Sequence, residues 1–231
     1  MSVATALDYL AVITQLPPGT YFHADNVSWE IYERLLAELS QSSGTRIFYD
    51  QGRLEAVSPT STHEKPVKIL ARLIAAISDQ LDIDIESLGS TTLRLQINAK
   101  GAEPDDSFYI QHAAQVIGKT DLRLPDDPPP DLVVESDLTS SSLDRFAIYA
   151  ALGVPEIWRV ANWHVSIWLL KDGGYQETEA SGAFPFLARQ HLNEFLVIGL
   201  NEGERKAARA VREWLERERP SVAEPHTELS K

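Results

Sequence analysis

The segment Asp131-Leu132-Val133-Val134-Glu135 constrains the fold more than any other part of this chain. It follows a loop rich in Asp and Pro, Leu124 to Pro130. An uninterrupted apolar run reads as a central strand with both faces covered, because a half-exposed strand would alternate apolar with polar residues. Such a strand needs packed layers above and below it, which the rest of the chain must supply. Glu135 closes the run, where a charge is costly unless it is paired or coordinated.

The flanking segments supply those layers. Met1 to Leu16 is a helix candidate ended by Pro17-Pro18-Gly19, and Ser28 caps a second helix running to about Leu39. Arg46-Ile47-Phe48-Tyr49 and Arg53-Leu54-Glu55-Ala56-Val57 flank Asp50-Gln51-Gly52, a hairpin signal. Ser61 and Glu64 have the S-x-x-E spacing of a capping box. Val67, Leu70, Ile74, Ile77 and Leu81 then mark one buried helical stripe, with Lys65, Lys68 and Arg72 off it. Strands are expected over Asp84 to Leu88, Thr91 to Ile97 and Ser107 to Ile110. A helix is expected from Ser142 to Leu152, ended by Gly153. Val154 to Val160 and Trp163 to Leu170 read as a hairpin, with Asp172-Gly173-Gly174 as the next turn. Asn201 and Glu204 suggest the cap of a last helix reaching about Arg219, and Pro220 stops it. The expected fold is α/β, with a mixed central sheet flanked by helices. At 231 residues, 43% of them apolar, one domain over residues 1–219 is expected, with a helical extension over about 1–40 and a disordered tail over 220–231.

Charge and composition narrow the function. The net charge of −13 argues against a protein that coats nucleic acid, although it permits a local basic patch and suits a site that collects divalent cations. There are no cysteines, which excludes disulfides, thiolate zinc sites and a thiol nucleophile. The first residues lack a basic stretch followed by an apolar run, and no apolar run is long enough to span a membrane, so a cytoplasmic location is expected.

Two acidic sites accompany strands. One is Glu103-Pro104-Asp105-Asp106, before Ser107-Phe108-Tyr109-Ile110; the other is the pair Asp131 and Glu135. With period-two alternation, Asp131, Val133 and Glu135 share one strand face. Neighbouring strands would bring Asp105 and Glu135 within reach of one ion, and two carboxylates plus waters suit Mg²⁺ or Mn²⁺. The competing reading is that these are ordinary turn residues and strand-edge charges. Trp158, Trp163 and Trp168 read as hairpin packing rather than as base-stacking platforms, and Glu55 reads as an exposed strand charge in preference to a residue that approaches the site from its hairpin.

Several short segments occur in a shared order. They are Gly52 to Pro59, His63-Glu64, Glu103-Pro104-Asp105, Pro130 to Glu135, Tyr149, and Gly153-Val154-Pro155-Glu156-Ile157-Trp158. Together they resemble the Uma family of endonucleases, within the restriction-endonuclease-like superfamily that carries the PD-(D/E)xK signature. The resemblance runs from about Ser28 to Phe195. It implies a restriction-endonuclease-like core and metal-dependent hydrolysis of DNA phosphodiester bonds. Asp105 and Glu135 would be the two acidic members. The superfamily lysine normally follows two residues after the second acid, where this chain has Asp137. In Uma-like proteins it is displaced to the next helix, and there this chain has Arg145, four residues before Tyr149. An arginine stays protonated and cannot serve as a base, but it can neutralise charge on a phosphate in transition; the competing reading of Arg145 is a solvated helix charge paired with an acidic neighbour. The resemblance further implies that Glu64 completes the metal shell and that His63 contacts the ion, a water or a phosphate. Helix capping competes for Glu64, and simple surface exposure for His63. A possible homodimer would allow both strands of a duplex to be cut. The rival expectation is a catalytically reduced nuclease fold that acts as a binding or regulatory module.

Overall fold

The structure is a computed structural model that describes residues 6–39, 44–136 and 143–218. The expectations for residues 1–5, Asp137, Ser142 and the tail from 220 lie outside the described residues.

The first half of the chain builds one antiparallel sheet. α1 (Ala6–Ile13), β1 (Tyr21–Ala24) and α2 (Trp29–Leu39) precede the hairpin β2 (Arg46–Asp50) and β3 (Arg53–Val57). The hairpin turn is Gln51-Gly52, both at positive φ, 49° and 92°. That is the primed turn whose twist matches paired strands. α3 (Ser61–Leu81), the two-residue β4 (Glu86–Ser87), β5 (Leu93–Leu95) and β6 (Lys100–Ala102) follow. The expected strand over Thr91 to Ile97 stops at Leu95, because Gln96–Asn98 turns into a 3-10 helix closed by Ala99 in the left-handed region. The sheet order is β1-β3-β2-β6-β5.

The second sheet holds the expected central strand. β7 (Asp106–Tyr109), the short helix α4 (Ala113–Val116) and β8 (Leu132–Ser136) lead into α5 (Arg145–Leu152). The hairpin β9 (Glu156–Ala161) and β10 (His164–Lys171), then β11 (Gly174–Thr178), complete the order β11-β10-β9-β8-β7-β4. β8 runs parallel to β9 and antiparallel to β7, so this sheet is mixed. The connection from β8 to β9 carries α5, as a parallel pair requires.

α6 (Arg189–Glu202) and α7 (Glu204–Glu218) close the described chain. Here the sequence expectation needs correction. Asn201 does not cap the last helix but lies in the last turn of α6, an element that the sequence did not reveal. Gly203, at φ 96°, breaks the path between the two helices.

The layers follow from alternation along the strands. Leu132 and Val134 of β8 point into a core with Trp158, Val160 and the apolar stripes of α3, α6 and α7. Val133 points the other way, into a core with Ile157, Ile148 and Leu152 of α5 and with Phe48 and Val57 of the first sheet. Leu54 and Ala56 of β3 face a third core, under α1 and α2. Each fully buried Val or Leu contributes roughly 2 kcal/mol. In this layering acidic side chains from both sheets converge in the buried space under α5.

Candidate active site

Asp105 and Glu135 reach this space from neighbouring strands. β7 pairs with β8 so that Asp106 lies opposite Val134, which brings the preceding Asp105 alongside Glu135. The Asp105 carboxylate accepts the Ser136 N–H at 2.8 Å. Glu135 is 5% exposed and projects on the Val133 face. The acidic run around Asp105 divides. Glu103 turns to the first sheet, accepting the Ile47 N–H and the Thr92 hydroxyl, while Asp106 accepts the Ser107 N–H and the Ser87 hydroxyl. Of the three side chains, that of Asp105 is the one that hydrogen-bonds to the β8 backbone, at the Ser136 N–H.

Arg145 enters at the first turn of α5. Asp144 caps this helix by accepting the Ala147 N–H at 3.2 Å, and Gly153 ends it in the left-handed region. Arg145 donates to Glu135 at 2.9 Å and lies 3.6 Å from a Glu55 carboxylate oxygen. Its guanidinium rests 3.9 Å above the centre of the Phe48 ring, a cation–π shelf. One turn later, the Tyr149 hydroxyl donates to the other Glu135 oxygen. Residues four apart share a helix face, so both side chains reach one carboxylate.

Two members of the cluster go beyond the preferred sequence reading. Glu55 is not an exposed strand charge: it is fully buried and belongs to the cluster. The alternation of β3 gives the reason, because Leu54 and Ala56 fill the core under α2 and Glu55 must face the second sheet. Arg46 had no sequence signal. It begins β2 and bridges Glu64, at 3.3 Å, and Asp105, at 3.7 Å. This bridge also corrects the expected capping box. Thr60, not Ser61, is the N-cap residue of α3, and the Glu64 side chain reaches across to Arg46. His63 stands beside Glu64, with its Nδ1 on the Thr60 hydroxyl at 2.7 Å. Trp158 is fully buried in the core and Trp168 packs edge-on against Phe146, while Trp163 is 40% exposed.

The electrostatics reflect an excess of negative charge. Among the described residues, the four carboxylates Glu55, Glu64, Asp105 and Glu135 meet the two guanidinium groups of Arg46 and Arg145. Burial pushes the Glu135 carboxyl up to about 7; the neighbouring Asp105 adds to this, while Arg145 and Tyr149 oppose it. Burial also raises Asp105, against the Ser136 N–H and the two arginines. Burial works against the charge on Arg145, but Glu135, Tyr149 and Glu55 hold it firmly protonated. Burial and Glu135 lift Tyr149 well above the usual phenol range, so it remains a donor.

A hard divalent cation fits this donor set in kind. The oxygens are carboxylate, the ligand type that such an ion takes. As they stand, no three acidic or histidine side chains among the described residues are arranged to ligate a metal. Arg145 and Tyr149 hold both Glu135 oxygens. Three buried donors here have no hydrogen-bond partner among the described residues: Arg46 Nε, which stands 3.7 Å from Asp105, Arg145 Nη2, 3.6 Å from Glu55, and Arg145 Nε. Buried guanidinium donors left open are what an oxyanion would satisfy.

Residues 29–201 match the profile of the Uma2 family, described as "Putative restriction endonuclease". That span includes Arg46, Glu55, Glu64, Asp105, Glu135, Arg145 and Tyr149. No curated protein matches the chain. A solved structure from Anabaena variabilis ATCC 29413, described as "a putative nuclease belonging to DUF820", is similar at 12% identity with a TM-score of 0.47. The similarity covers 70% of this chain and 98% of that one.

Proposed function

The chain belongs to the Uma2 family, and on that premise we propose that it is a metal-dependent endonuclease that hydrolyses DNA phosphodiester bonds. The observation that carries this reading is the buried meeting of Asp105 and Glu135 beside arginine donors that have no hydrogen-bond partner among the described residues. Asp105 and Glu135 would hold Mg²⁺ or Mn²⁺, with Glu64 at the margin of the site. Once bound, the ion supplies Lewis-acid polarisation of the phosphate and lowers the pKa of an attacking water.

The side chains of the protein do the rest. Arg145 remains charged and cannot take a proton from water. Its open Nε and Nη2 donors suit the charge that builds on the phosphate during attack. Arg46 offers its open Nε to the same region. Tyr149 fixes the orientation of Glu135, and the Phe48 ring keeps Arg145 from swinging away. His63 stands outside this inner group and supports the helix start that presents Glu64. Cutting both strands of a duplex would call for two copies of the chain related by symmetry.

One observation favours a second reading. Arg145 and Tyr149 together satisfy both oxygens of Glu135, so this carboxylate is complete without an ion. A nuclease fold with reduced catalysis, acting as a binding or regulatory module, would look like this. The experiment that separates the two is nicking of a supercoiled plasmid. The endonuclease reading expects cleavage with Mn²⁺ or Mg²⁺, none in EDTA, and none by Glu135→Gln. No cleavage by the parent with either ion favours the second reading.

A further inference from the structure

Lys65, Lys68 and Arg72 stand at i, i+3 and i+7 of α3, and all three are exposed. At 3.6 residues per turn they form one narrow row opposite the buried stripe. None forms an ion pair among the described residues. Many other cations on this acidic protein do: Lys206 with Glu202, Arg209 with Glu213, Lys119 with Asp127, Arg123 with Asp121 and Arg189 with Glu177. On α7, by contrast, Lys206 and Arg209 are each paired with an acid of the helical stretch four residues away, whereas all three cations of the α3 row lack an ion pair among the described residues.

The row starts at the candidate site. Glu64, the residue before Lys65, is tied to Arg46, which in turn lies against Asp105. From Lys65 the row runs seven residues along the helix, about 10 Å at 1.5 Å per residue. The nearest acid further along this face is Asp79, another seven residues on. That is a further 10 Å or so, about one Debye length at physiological salt. The buried Asp106 feels the Lys68 charge from beneath but does not pair with it. At such salt the overall charge of −13 is screened beyond this distance, so an approaching polyanion responds to the local row.

We propose that Lys65, Lys68 and Arg72 form the track on which the phosphate backbone of duplex DNA lies beside the candidate site. This deepens the endonuclease reading, on which it rests. Phosphate contacts position a duplex without reading its sequence, so the track sets register rather than sequence preference.

The test is binding of a fluorescently labelled duplex, followed by anisotropy in EDTA over a range of KCl concentrations. The triple variant Lys65→Gln/Lys68→Gln/Arg72→Gln is compared with the parent and with Lys206→Gln/Arg209→Gln on α7. Each lost phosphate contact lowers the slope of log affinity against log salt by roughly 0.9, so the triple variant should lose about 2 to 3. The α7 variant should keep the parental slope, and both should keep the parental melting curve. An unchanged slope in the triple variant overturns the track, as does absence of duplex binding by the parent at low salt. Preserved binding and slope change without cleavage in Mn²⁺ would retain the track and remove the nuclease reading. Cleavage with an unchanged slope would do the reverse.

Discussion

Removing the Arg145 side chain should destabilise the protein, and by an amount that depends on pH. Arg145→Ala takes the positive partner from Glu135, at 2.9 Å, and from Glu55, at 3.6 Å, and both glutamates are buried. Breaking a buried pair by deleting one partner costs about 3–5 kcal/mol. Loss of the Phe48 shelf is part of the same change rather than an addition to it. Glu135 can limit the damage by taking up a proton, because burial has already pushed its carboxyl from 4.5 up to about 7. Its folded pKa lies above its unfolded one, so the contribution it makes to stability is complete below about 4.5 and is lost as pH rises through about 7. At pH 5 Glu135 is mostly neutral in the folded protein and has little need of Arg145. At pH 8 it is ionised in the parent; without the arginine that holds its pKa down it must either take up a proton or stay charged and unpaired, and both cost more than at pH 5. A domain of this size loses roughly 2–4 °C of melting temperature per kcal/mol, so the low end of the range predicts a fall of about 6–12 °C at pH 8. The fall at pH 5 should be clearly smaller. Thermal melts followed by circular dichroism at both pH values measure it. A fall of under about 2 °C at pH 8, or a larger fall at pH 5 than at pH 8, would refute the charge-compensation argument.

Other expectations can be checked in the same preparations. Plasmid nicking in Mn²⁺ should persist or rise in Arg145→Lys, and should drop by roughly a hundredfold or more in Arg145→Ala, the usual loss for one transition-state donor; equal rates in parent and Arg145→Ala would make the residue a bystander. Mg²⁺ or Mn²⁺ should raise the melting temperature of the parent, and Glu135→Ala should abolish the rise, because only the folded site binds the ion. Gly101→Ala should shift the urea midpoint downward by the equivalent of about 2 kcal/mol or more, since its Cβ would stand 2.0 Å from the hydroxyl oxygen of the buried Tyr32.

Much of this arrangement could be read from the chain before any coordinates. β8 announced itself through Leu132, Val133 and Val134, and its alternation correctly placed Glu135 on the Val133 face. α3 showed its stripe, and Gly52 and Gly153 marked the turn and the helix end that they form. What escaped was tertiary. Glu55 and Arg46 matter because the first sheet lies against α5 and the second sheet, and no local pattern encodes that proximity. Ser61 and Glu64 had the spacing of a capping box, but a long-range partner drew Glu64 away from the helix backbone. Helix α6 was missed because the region was punctuated at Asn201, whereas the structural break falls at Gly203.

The central claim is that Asp105 and Glu135 hold a divalent cation in this space. The most direct test is a crystal soaked in Mn²⁺ and measured for anomalous scattering. A single peak about 2 Å from oxygens of both Asp105 and Glu135, with Arg145 displaced from Glu135, is the expected result. A peak elsewhere, or none at an Mn²⁺ concentration that supports plasmid cleavage, would contradict it.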